Sequence, residues 1–579
     1  MFLGFDLSTQ QLKVIATDDK LKPQDTFNVE FDEVYRKKYG IKHGVVTNDA
    51  DGTVVSPVAM WIDAIDYLFD EMKQKGFDFS AVKGISGSGQ QHGSIYWCDE
   101  IPDDLNPKEA LAPQLEKYLA YEYSPNWQDH STGQQIDDFE STFGVDKLAD
   151  TTGSRGHYRF TGLQIRKLAK NKPEVYEKTK RISLVSSFVA SLMIGKIAPL
   201  EEADACGMNI YDIRKGEYNQ ELLELAAGVH PKLDKVSDDE AKKGAKELAE
   251  KLGEPSPVGY KHIGTVASYW VDRYGFSPEC RVYSFTGDNL ATILALPLSK
   301  NDCLVSLGTS TTVLVISPTY HPSPQYHMFK HPTLDDHYMG MLCYCNGALP
   351  RDKIRDDING DDSGSWDKFD AALDESGKWN KKMGVYFTKG EIIPNAPPQT
   401  KRAQLEGKEI KYVDEWPATD DAVAIVTSQT CSARLRAGPM LDHEQPSDEV
   451  RKVYDEVVDT FGELETDGQK HNEETATARP HKCFYVGGAS NNSSIIKKMG
   501  SIFYPTDGNY KVEIANACAL GGAYKASWSY QCEEGKKVDY TKYIDQLSGE
   551  YEEFDVDDHW LDHLPALGML SKMEAELDH

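Results

Sequence analysis

The sequence predicts an α/β protein built from two related lobes, and three observations lead to that expectation. Strand-like and helix-like stretches alternate along the whole chain, which favours an α/β architecture. At 579 residues the chain is too long for one ordinary domain. A strand–turn–strand pattern near the N-terminus also returns about half a chain later. We therefore expect an N-terminal lobe over 1–285 and a C-terminal lobe over 286–579.

The repeated pattern consists of two apolar strands joined by a small polar turn. In the first copy, Phe2–Phe5 and Leu12–Thr17 flank the turn at 6–11. In the second copy, Cys303–Leu307 and Thr311–Ile316 flank a turn of small residues. Small residues at such a tip let successive backbone N–H groups converge on an anion. Both turns are therefore predicted to hold phosphate groups.

Other segments are predicted from their periodicity and composition. Ala59–Lys75 has apolar residues at helical spacing, and Asp238–Leu252 reads as a charged surface helix capped by Ser237. Three polar segments are expected to be surface loops. These segments are 352–375, 397–412 and 463–479.

The charge balance limits the possible partners. The chain carries 93 acidic and 63 basic residues, for a formal charge of −30. Nucleic acids and anionic membrane surfaces would be repelled, so neither is an expected partner. A phosphorylated small ligand would feel the same repulsion and would need a metal ion or backbone N–H groups.

The expected location is the cytoplasm. The ten cysteines are scattered without a C-x-x-C pair, which is typical of reduced thiols. The N-terminus lacks the basic and apolar regions of a signal peptide. The apolar run 182–195 is too short to span a membrane, for which about 18 residues are needed. The sequence leaves open whether the protein is a monomer or a homodimer.

Two aspartates are candidates for chemistry, each with a structural alternative. Asp6 could hold Mg²⁺ beside the first turn, or it could simply cap that turn. Asp288, after the strand Val282–Phe285, could act as a general base, or it could form an Asx turn without chemistry. Asn289 could hydrogen-bond a neighbouring substrate hydroxyl.

Two glycine-rich turns are further candidates. The turn after Val82–Ser86 does not fit a dinucleotide-binding spacing, and it is predicted to place Gln91 and His92 at the mouth of a cleft. Gly487 and Gly488 stand between a strand and a helix start, where backbone groups can accept a flat base or a phosphate. Close packing alone is the alternative explanation for this glycine pair.

Taken together, five motifs in this order resemble the FGGY carbohydrate kinases, over residues 2 to about 527. This resemblance implies the two-lobed, ribonuclease H-like fold of the actin-like and hexokinase-like ATPases, with a central cleft. The chain is most similar to the eukaryotic-type xylulokinase branch, through 89–97, 159–165 and 181–188. The five motifs are Asp6-Leu7-Ser8-Thr9, Gly89-Gln90-Gln91-His92-Gly93, Thr286-Gly287-Asp288-Asn289, Ser306-Leu307-Gly308-Thr309-Ser310 and Gly487-Gly488-Ala489-Ser490.

The resemblance also implies an activity, namely ATP-dependent phosphorylation of D-xylulose to D-xylulose 5-phosphate. Asp288 would be the general base, and Asp6 would hold Mg²⁺. The N-terminal lobe would bind the sugar and the C-terminal lobe the nucleotide. The residues expected to contact the ketose are Gln91, His92, Arg159, Asp288 and Asn289. Those expected at the nucleotide are Thr9, Gln10, Gly308, Thr309, Trp366, Gly487, Gly488, Ala489 and Asn492.

Three alternatives to this activity remain open. The first is a kinase for another ketose or polyol, such as ribulose or glycerol. The second is an actin-like or chaperone-like ATPase, which would share both phosphate turns but lack the turn at 89–94 and Asp288. The third is a non-catalytic sugar sensor, which an intact Asp288 disfavours.

Overall fold

The computed structural model describes residues 1–546 and 551–579, which divide into two compact units. Unit 1 comprises Met1–Pro297, Phe329–Asp336 and a segment that begins at Ala515. Unit 2 comprises Leu298–Met328, His337–Ile514 and a C-terminal segment. The units thus differ from the lobes expected at 1–285 and 286–579, because the chain leaves unit 1 later and returns to it after residue 514.

The strands are short, and most belong to one sheet in each unit. They are β1 (Phe2–Leu7), β2 (Gln11–Thr17), β3 (Pro23–Glu30), β4 (Val46–Asn48), β5 (Thr53–Pro57), β6 (Gly84–Gly89), β7 (Ser94–Trp97), β8 (Tyr123–Pro125), β9 (Arg181–Leu184), β10 (Tyr211–Asp212), β11 (Glu217–Tyr218), β12 (His262–Thr265), β13 (Arg281–Tyr283), β14 (Thr286–Gly287), β15 (Cys303–Leu307), β16 (Thr311–Ser317), β17 (His327–Lys330), β18 (Tyr338–Tyr344), β19 (Lys382–Phe387), β20 (Gln399–Glu406), β21 (Glu409–Val413), β22 (Leu464–Thr466), β23 (Gln469–His471), β24 (Cys483–Val486), β25 (Asn509–Lys511) and β26 (Glu552–Phe554).

The helices vary from one turn to five turns. They are α1 (Phe31–Tyr39), α2 (Val58–Gln74), α3 (Leu111–Leu115), α4 (Gly133–Phe143), α5 (Val145–Thr152), α6 (Thr161–Asn171), α7 (Pro173–Lys178), α8 (Val185–Ile194), α9 (Glu202–Ala205), α10 (Gln220–Ala226), α11 (Pro231–Asp234), α12 (Asp238–Leu252), α13 (Ser268–Tyr274), α14 (Asp288–Leu294), α15 (Ala348–Asn359), α16 (Asp367–Asp374), α17 (Ala418–Ala437), α18 (Asp448–Phe461), α19 (Glu473–Ala476), α20 (Ser493–Phe503), α21 (Ala517–Glu533), α22 (Tyr540–Asp545) and α23 (Leu564–Ala575).

The main sheet of unit 1 has the strand order β12-β13-β6-β1-β2-β3. Its centre is the antiparallel hairpin β1–β2, and β6 runs parallel to β1 on the other side. Helix α21 crosses this sheet so closely that a Cβ on Gly522 would lie 2.6 Å from the Cα of Gly87. It also packs on α14, where a Cβ on Gly521 would lie 2.1 Å from the carbonyl oxygen of Ala291. These contacts explain why α14 and α21 belong to unit 1.

The main sheet of unit 2 repeats that arrangement. Six of its seven strands follow the order β18-β16-β15-β24-β25-β26, in which β15 and β16 form an antiparallel hairpin and β24 runs parallel to β15. Each unit therefore has a central hairpin with a parallel strand beside its first strand. The repeated strand–turn–strand pattern expected from the sequence is confirmed.

The helices expected from periodicity are confirmed, whereas the prediction that three polar segments are loops is wrong. Helix α12 has the expected bounds, and Ser237 Oγ accepts a hydrogen bond from the backbone N–H of Glu240. The segment 352–375 contains all of α16, 397–412 contains β20, and 463–479 contains the β22–β23 hairpin and α19. These elements bury only a few side chains each, such as Phe369 and Leu373 of α16, so their polar composition concealed them.

Candidate active site

Asp6 lies near the carboxyl end of β1, just before the first turn. It is paired in register with Ser88 of the parallel strand β6, and Ser88 Oγ donates a 3.0 Å hydrogen bond to Asp6 Oδ1. Burial raises the pKa of Asp6, while the Ser88 hydrogen bond and the charge of Lys13 oppose that effect. A carboxylate held this way in a poorly solvated position would gain from a nearby cation.

Asp288 reaches the same edge through β14, whose Thr286 and Gly287 are paired with Ser88 and Gly89 of β6. Burial raises the pKa of Asp288 to about 7, and the negative charge of Asp6 adds to the rise. The backbone N–H of Asn289, which donates to Asp288 Oδ1 at 2.8 Å, and the charge of Arg159 both lower it. Asp6 and Arg159 therefore both lie within electrostatic reach of Asp288.

The turn that follows β6 is hydrogen-bonded to the residue after Asp288. Asn289 Nδ2 donates to Gln91 Oε1 at 2.9 Å, which joins this turn to the start of α14. His92 has a left-handed backbone with φ of 77°, a conformation that costs energy and needs surrounding support. Thr161 supplies part of that support by donating to the carbonyl oxygen of His92 at 2.9 Å.

The imidazole of His92 is oriented by a backbone carbonyl. His92 Nδ1 lies 3.1 Å from the carbonyl oxygen of Gly207, and a carbonyl can only accept, so Nδ1 carries the proton in that bond. In the neutral ring, Nε2 is then the acceptor. We call Asp6, Gln91, His92, Arg159, Asp288 and Asn289 the acidic cluster.

Two buried donors of the acidic cluster have open hydrogen-bonding capacity. Among residues 1–546 and 551–579, Gln91 Nε2 and Arg159 Nε have no hydrogen-bond partner. Buried polar groups are nearly always paired, so such orphans suggest a missing polar ligand. Sugar hydroxyl groups have the acceptor oxygens that these two donors need.

Several supporting residues were not predicted from the sequence. Asp204 lies close behind Gly287 and accepts a 2.5 Å hydrogen bond from Ser186 Oγ. Burial raises its pKa to about 8, and the charges of Glu201 and Asp288 add to the rise, so the group is mostly neutral at pH 7. Three acids in the four residues 201–204, within a largely apolar stretch, were the signal that could have revealed it.

The tip of the first hairpin is held by a loop that sequence reasoning also missed. Thr9 Oγ1 accepts hydrogen bonds from Trp127 Nε1 at 2.9 Å and from Asn126 Nδ2 at 3.4 Å. Because the oxygen is engaged as an acceptor, the Thr9 hydroxyl proton can be donated to an anion at the tip. Gln10 is exposed, and its carbonyl oxygen accepts from the N–H of Phe31 at 2.8 Å.

The second hairpin offers fewer backbone donors than expected. The N–H of Gly308 closes the turn on the carbonyl oxygen of Ser310 at 3.1 Å, so it does not point to a ligand. Thr309 is exposed, and its carbonyl oxygen accepts from the N–H of Ala348 at 3.1 Å. An anion at this tip would therefore have to use the N–H groups that follow Gly308.

The glycine pair after β24 lies against this hairpin. Gly487 has φ of 91°, and a Cβ there would lie 2.7 Å from the carbonyl oxygen of Leu307, so only glycine fits. Gly488 is exposed, and a Cβ there would meet no atom within 4 Å. Backbone geometry therefore requires glycine at 487, whereas the space beside Gly488 is open.

The remaining nucleotide candidates lie where α16 and α20 begin. Asn492 caps α20 by accepting from the N–H of Ile495 at 3.0 Å, and its amide donates to Asp370 of α16 at 2.7 Å. Trp366 precedes α16, and the Arg355 guanidinium lies 4.9 Å from the centre of its ring. Ala489 is partly buried beside the core of unit 2. We call Gly308, Thr309, Trp366, Gly487, Gly488, Ala489 and Asn492 the glycine cluster.

A metal ion at Asp6 would not be enclosed by protein ligands alone. Across 1–546 and 551–579, no three His, Cys, Asp or Glu side chains gather in a way that could hold a metal. Mg²⁺ commonly uses one or two carboxylates, several waters and the phosphates of a nucleotide. The closeness of two carboxylates, Asp6 and Asp288, fits that pattern.

Two family models match most of the chain. The model described as the N-terminal domain of the FGGY family of carbohydrate kinases matches residues 121–294. The model of the C-terminal domain of the same family matches residues 303–530. No described helix is both long enough and apolar enough to cross a membrane.

Curated relatives are similar over nearly their whole length. The chain is 42% identical to "Xylulose kinase" of Saccharomyces cerevisiae over 565 residues, which cover 94% of this chain and 90% of the relative. It is 41% identical to "D-xylulose kinase A" of Aspergillus niger over 556 residues, which cover 93% and 90%.

Solved structures share the fold at low sequence identity. The structure of xylulose kinase from Bifidobacterium adolescentis has a TM-score of 0.68 and 19% identity, covering 98% of each chain. That of glycerol kinase from Plasmodium falciparum with ADP has a TM-score of 0.68 and 13% identity, covering 99% of this chain and 97% of the other. These likenesses confirm the α/β fold class expected from the sequence.

Proposed function

Because the chain belongs to the FGGY family of carbohydrate kinases, we propose that it transfers the terminal phosphoryl group of ATP to the 5-hydroxyl of D-xylulose. The products would be D-xylulose 5-phosphate and ADP. The names of the relatives that are 41–42% identical support xylulose as the sugar. The observation that carries the chemistry is the environment of Asp288.

Asp288 is proposed as the general base. Its pKa of about 7 places its proton exchange at the working pH, where a catalytic acid or base is most effective. It would take the proton of the 5-hydroxyl as that oxygen attacks the terminal phosphorus atom. A base of this kind contributes about 10²–10⁴ in rate.

The ketose is proposed to bind the acidic cluster. The orphaned donors Gln91 Nε2 and Arg159 Nε would donate to its oxygens, and His92 Nε2 would accept from a hydroxyl. Asn289 is tied to Gln91 and so would fix the position of the amide. Arg159 would also offset the negative charge of Asp288.

In unit 2, the glycine cluster is proposed to bind ATP, and in unit 1, Thr9 and Gln10 are proposed as nucleotide-binding residues. The open face of Gly488 and the ring of Trp366 would accept the adenosine, while Thr309 and Thr9 would donate to phosphate oxygens. Gln10, exposed next to Thr9, would add a side-chain donor. Mg²⁺ held by Asp6 would supply the positive charge that neutralises the phosphates in an acidic protein.

The same proposal includes a cellular setting. All ten cysteines are free thiols, which supports the reducing cytoplasm, and phosphorylation of xylulose would place the protein in xylose metabolism.

A coupled assay of ADP release over D-xylulose, ribulose, glycerol and a no-sugar control tests the proposal. We expect release with D-xylulose at least about tenfold faster, in kcat/KM, than with the other acceptors, a gap of about 1.4 kcal/mol. Faster release with ribulose or glycerol would refute the sugar assignment. Equal release without sugar would indicate an ATPase, and silence with all acceptors would indicate a non-catalytic protein.

A further inference from the structure

A cavity of about 50 Å³ lies within unit 2, and β16 of the second hairpin forms part of its wall. Its wall is mainly apolar, with Val313, Ile425 and Leu570 among the side chains. A water molecule needs about 10–15 Å³ of such space, so the cavity has room for a few heavy atoms. One cation, Arg351 on the first turn of α15, lies in this wall.

Arg351 is buried, and two of its three side-chain nitrogens have no hydrogen-bond partner in the described part of the chain. The side chain is 1% exposed, and Nη1 donates to Gln429 Oε1 at 2.7 Å. Among residues 1–546 and 551–579, Nε and Nη2 have no hydrogen-bond partner, and no acidic side chain forms an ion pair with Arg351. Burial lowers the pKa of Arg351 to about 10, opposed by the charge of Asp352. A buried cation without a counter-charge is costly.

The open atoms form one edge of the guanidinium group, and this chain uses the same edge elsewhere. Arg155 holds Glu140 through Nε and Nη2, both at 2.9 Å. Arg402 holds Asp421 through Nε at 2.7 Å and Nη2 at 3.1 Å. Such bidentate pairing matches the two oxygens of a carboxylate. Arg351 presents this edge without a carboxylate from the protein.

The acids in the cavity wall are already satisfied. Glu391 accepts hydrogen bonds from the backbone N–H groups of Cys345, Asn346 and Ile392, and also from the amide of Asn346. Glu574 is paired with the buried Arg436 at 2.8 Å. Both acids are therefore engaged by other partners, and neither forms an ion pair with Arg351.

A second open polar group belongs to Thr311. Its hydroxyl is buried, lines the cavity and has no hydrogen-bond partner in the described part of the chain. The cavity therefore combines a guanidinium edge, a hydroxyl donor and apolar walls. We propose that it binds a short-chain monocarboxylate such as acetate or propionate, with its oxygens on Arg351 and Thr311 and its carbon atoms against the apolar wall.

The test uses the purified full-length protein and sodium acetate, with sodium chloride adjusted to keep ionic strength constant. We expect acetate and propionate to raise the thermal unfolding midpoint saturably, and calorimetry to give one site per chain. Benzoate has nine heavy atoms, whereas the cavity has room for a few, so benzoate should bind at least about tenfold more weakly, a loss of about 1.4 kcal/mol. The absence of a saturable response, an equal response to chloride or phosphate, or benzoate binding as tight as acetate would overturn the proposal.

Variants locate the site. Arg351→Lys keeps the charge but removes the two-donor edge, and Arg351→Met removes the charge; both should abolish the saturable response. Arg402→Lys, which alters the same edge where a protein carboxylate already occupies it, should keep the response. Acetate binding that survives both Arg351 variants would overturn the proposal.

If the Arg351 variants fail to fold, Thr311→Val is used to test the site instead. It removes one hydroxyl at nearly constant volume, so acetate should bind about 3- to 10-fold more weakly, as expected for loss of a buried hydrogen bond. Unchanged acetate affinity in Thr311→Val would then count against the site.

Discussion

The two hairpins stand on the same framework but carry different chemistry. In unit 1 the parallel strand beside the hairpin pairs Ser88 with Asp6, whereas in unit 2 the corresponding pair is Val486 with Ser306. After this parallel strand, unit 1 continues into a buried polar turn, and unit 2 continues into the exposed Gly487 and Gly488. The framework fixes where a ligand can approach, and the side chains decide which chemistry follows.

The difference is also electrostatic. In the acidic cluster, the charges of Asp6 and Arg159 both act on Asp288, so the pKa of Asp288 depends on these two neighbours. The glycine cluster relies on open backbone and on helix starts, which bind anions without titrating. We therefore expect substitutions in unit 1 to change rate and pH dependence, and substitutions in the glycine cluster to change nucleotide affinity.

The largest expected effect is that of Asp288→Asn. Loss of the proposed base should lower kcat by about 10²–10⁴-fold with ATP affinity unchanged. The measurement is kcat from coupled ADP release, together with ATP titration by calorimetry. Asp302→Asn is the matched control, because burial also raises the pKa of Asp302 in unit 2 to about 7. Near-normal turnover in Asp288→Asn would exclude the base, and an equal loss in Asp302→Asn would mean that the effect is not local.

The next largest effect is expected for Asp6→Asn. Loss of the proposed Mg²⁺ anchor should lower kcat/KM by about 10²-fold, which is typical for one charge-stabilising group. The negative charge of Asp6 raises the pKa of Asp288, so its removal should move the acidic limb of the pH–rate profile to lower pH. Ser306→Ala, at the corresponding position of unit 2, should leave that profile unchanged. If the acidic limb of the pH–rate profile does not move in Asp6→Asn, the charge of Asp6 does not affect the pKa of Asp288.

A smaller effect is expected for Gly488→Ala. The added methyl group meets no protein atom, so the thermal midpoint should stay unchanged. If adenosine occupies that space, KM for ATP should rise about tenfold, a loss of about 1.4 kcal/mol. Gly487→Ala should instead destabilise the fold, because its φ of 91° and its contact with Leu307 exclude a Cβ. An unchanged KM in Gly488→Ala would remove this glycine from the nucleotide site.

The sequence predicted the hairpins well because short apolar strands around a small polar turn are a local pattern. It also singled out Asp288 and Asn289, since both follow a strand directly. It could not predict Ser88 as the partner of Asp6, because that pairing depends on the register between strands about 80 residues apart. Nor could it find Trp127, whose hydrogen bond to Thr9 joins segments 118 residues apart.

The last expected effect concerns stability rather than activity, and it should have opposite signs in the two units. The pKa of Asp288 is about 7 in the folded protein, against 3.8 in the unfolded chain. Between pH 3.8 and pH 7 the folded state therefore binds more protons, and the contribution of Asp288 to stability falls as the pH rises. The difference between a pKa of 3.8 and one of about 7 corresponds to about 4 kcal/mol, which the partial exposure of Asp288 reduces. Asp288→Asn should therefore gain about 2 kcal/mol at pH 8 and roughly half of that at pH 5.5.

Asp302 shows the contrasting case, although its pKa is raised to the same value. Its two carboxylate oxygens accept the backbone N–H groups of Lys482 at 3.0 Å and Ser299 at 2.8 Å. An asparagine can accept only one of these, so Asp302→Asn should lose about 1–3 kcal/mol. Thermal midpoints of both variants at pH 5.5 and pH 8 provide the measurement. If Asp288→Asn is more stable than the parent protein and Asp302→Asn is less stable, the carboxylate of Asp288 costs stability, as expected for a residue kept for its chemistry. If both variants are less stable, Asp288 has a structural role.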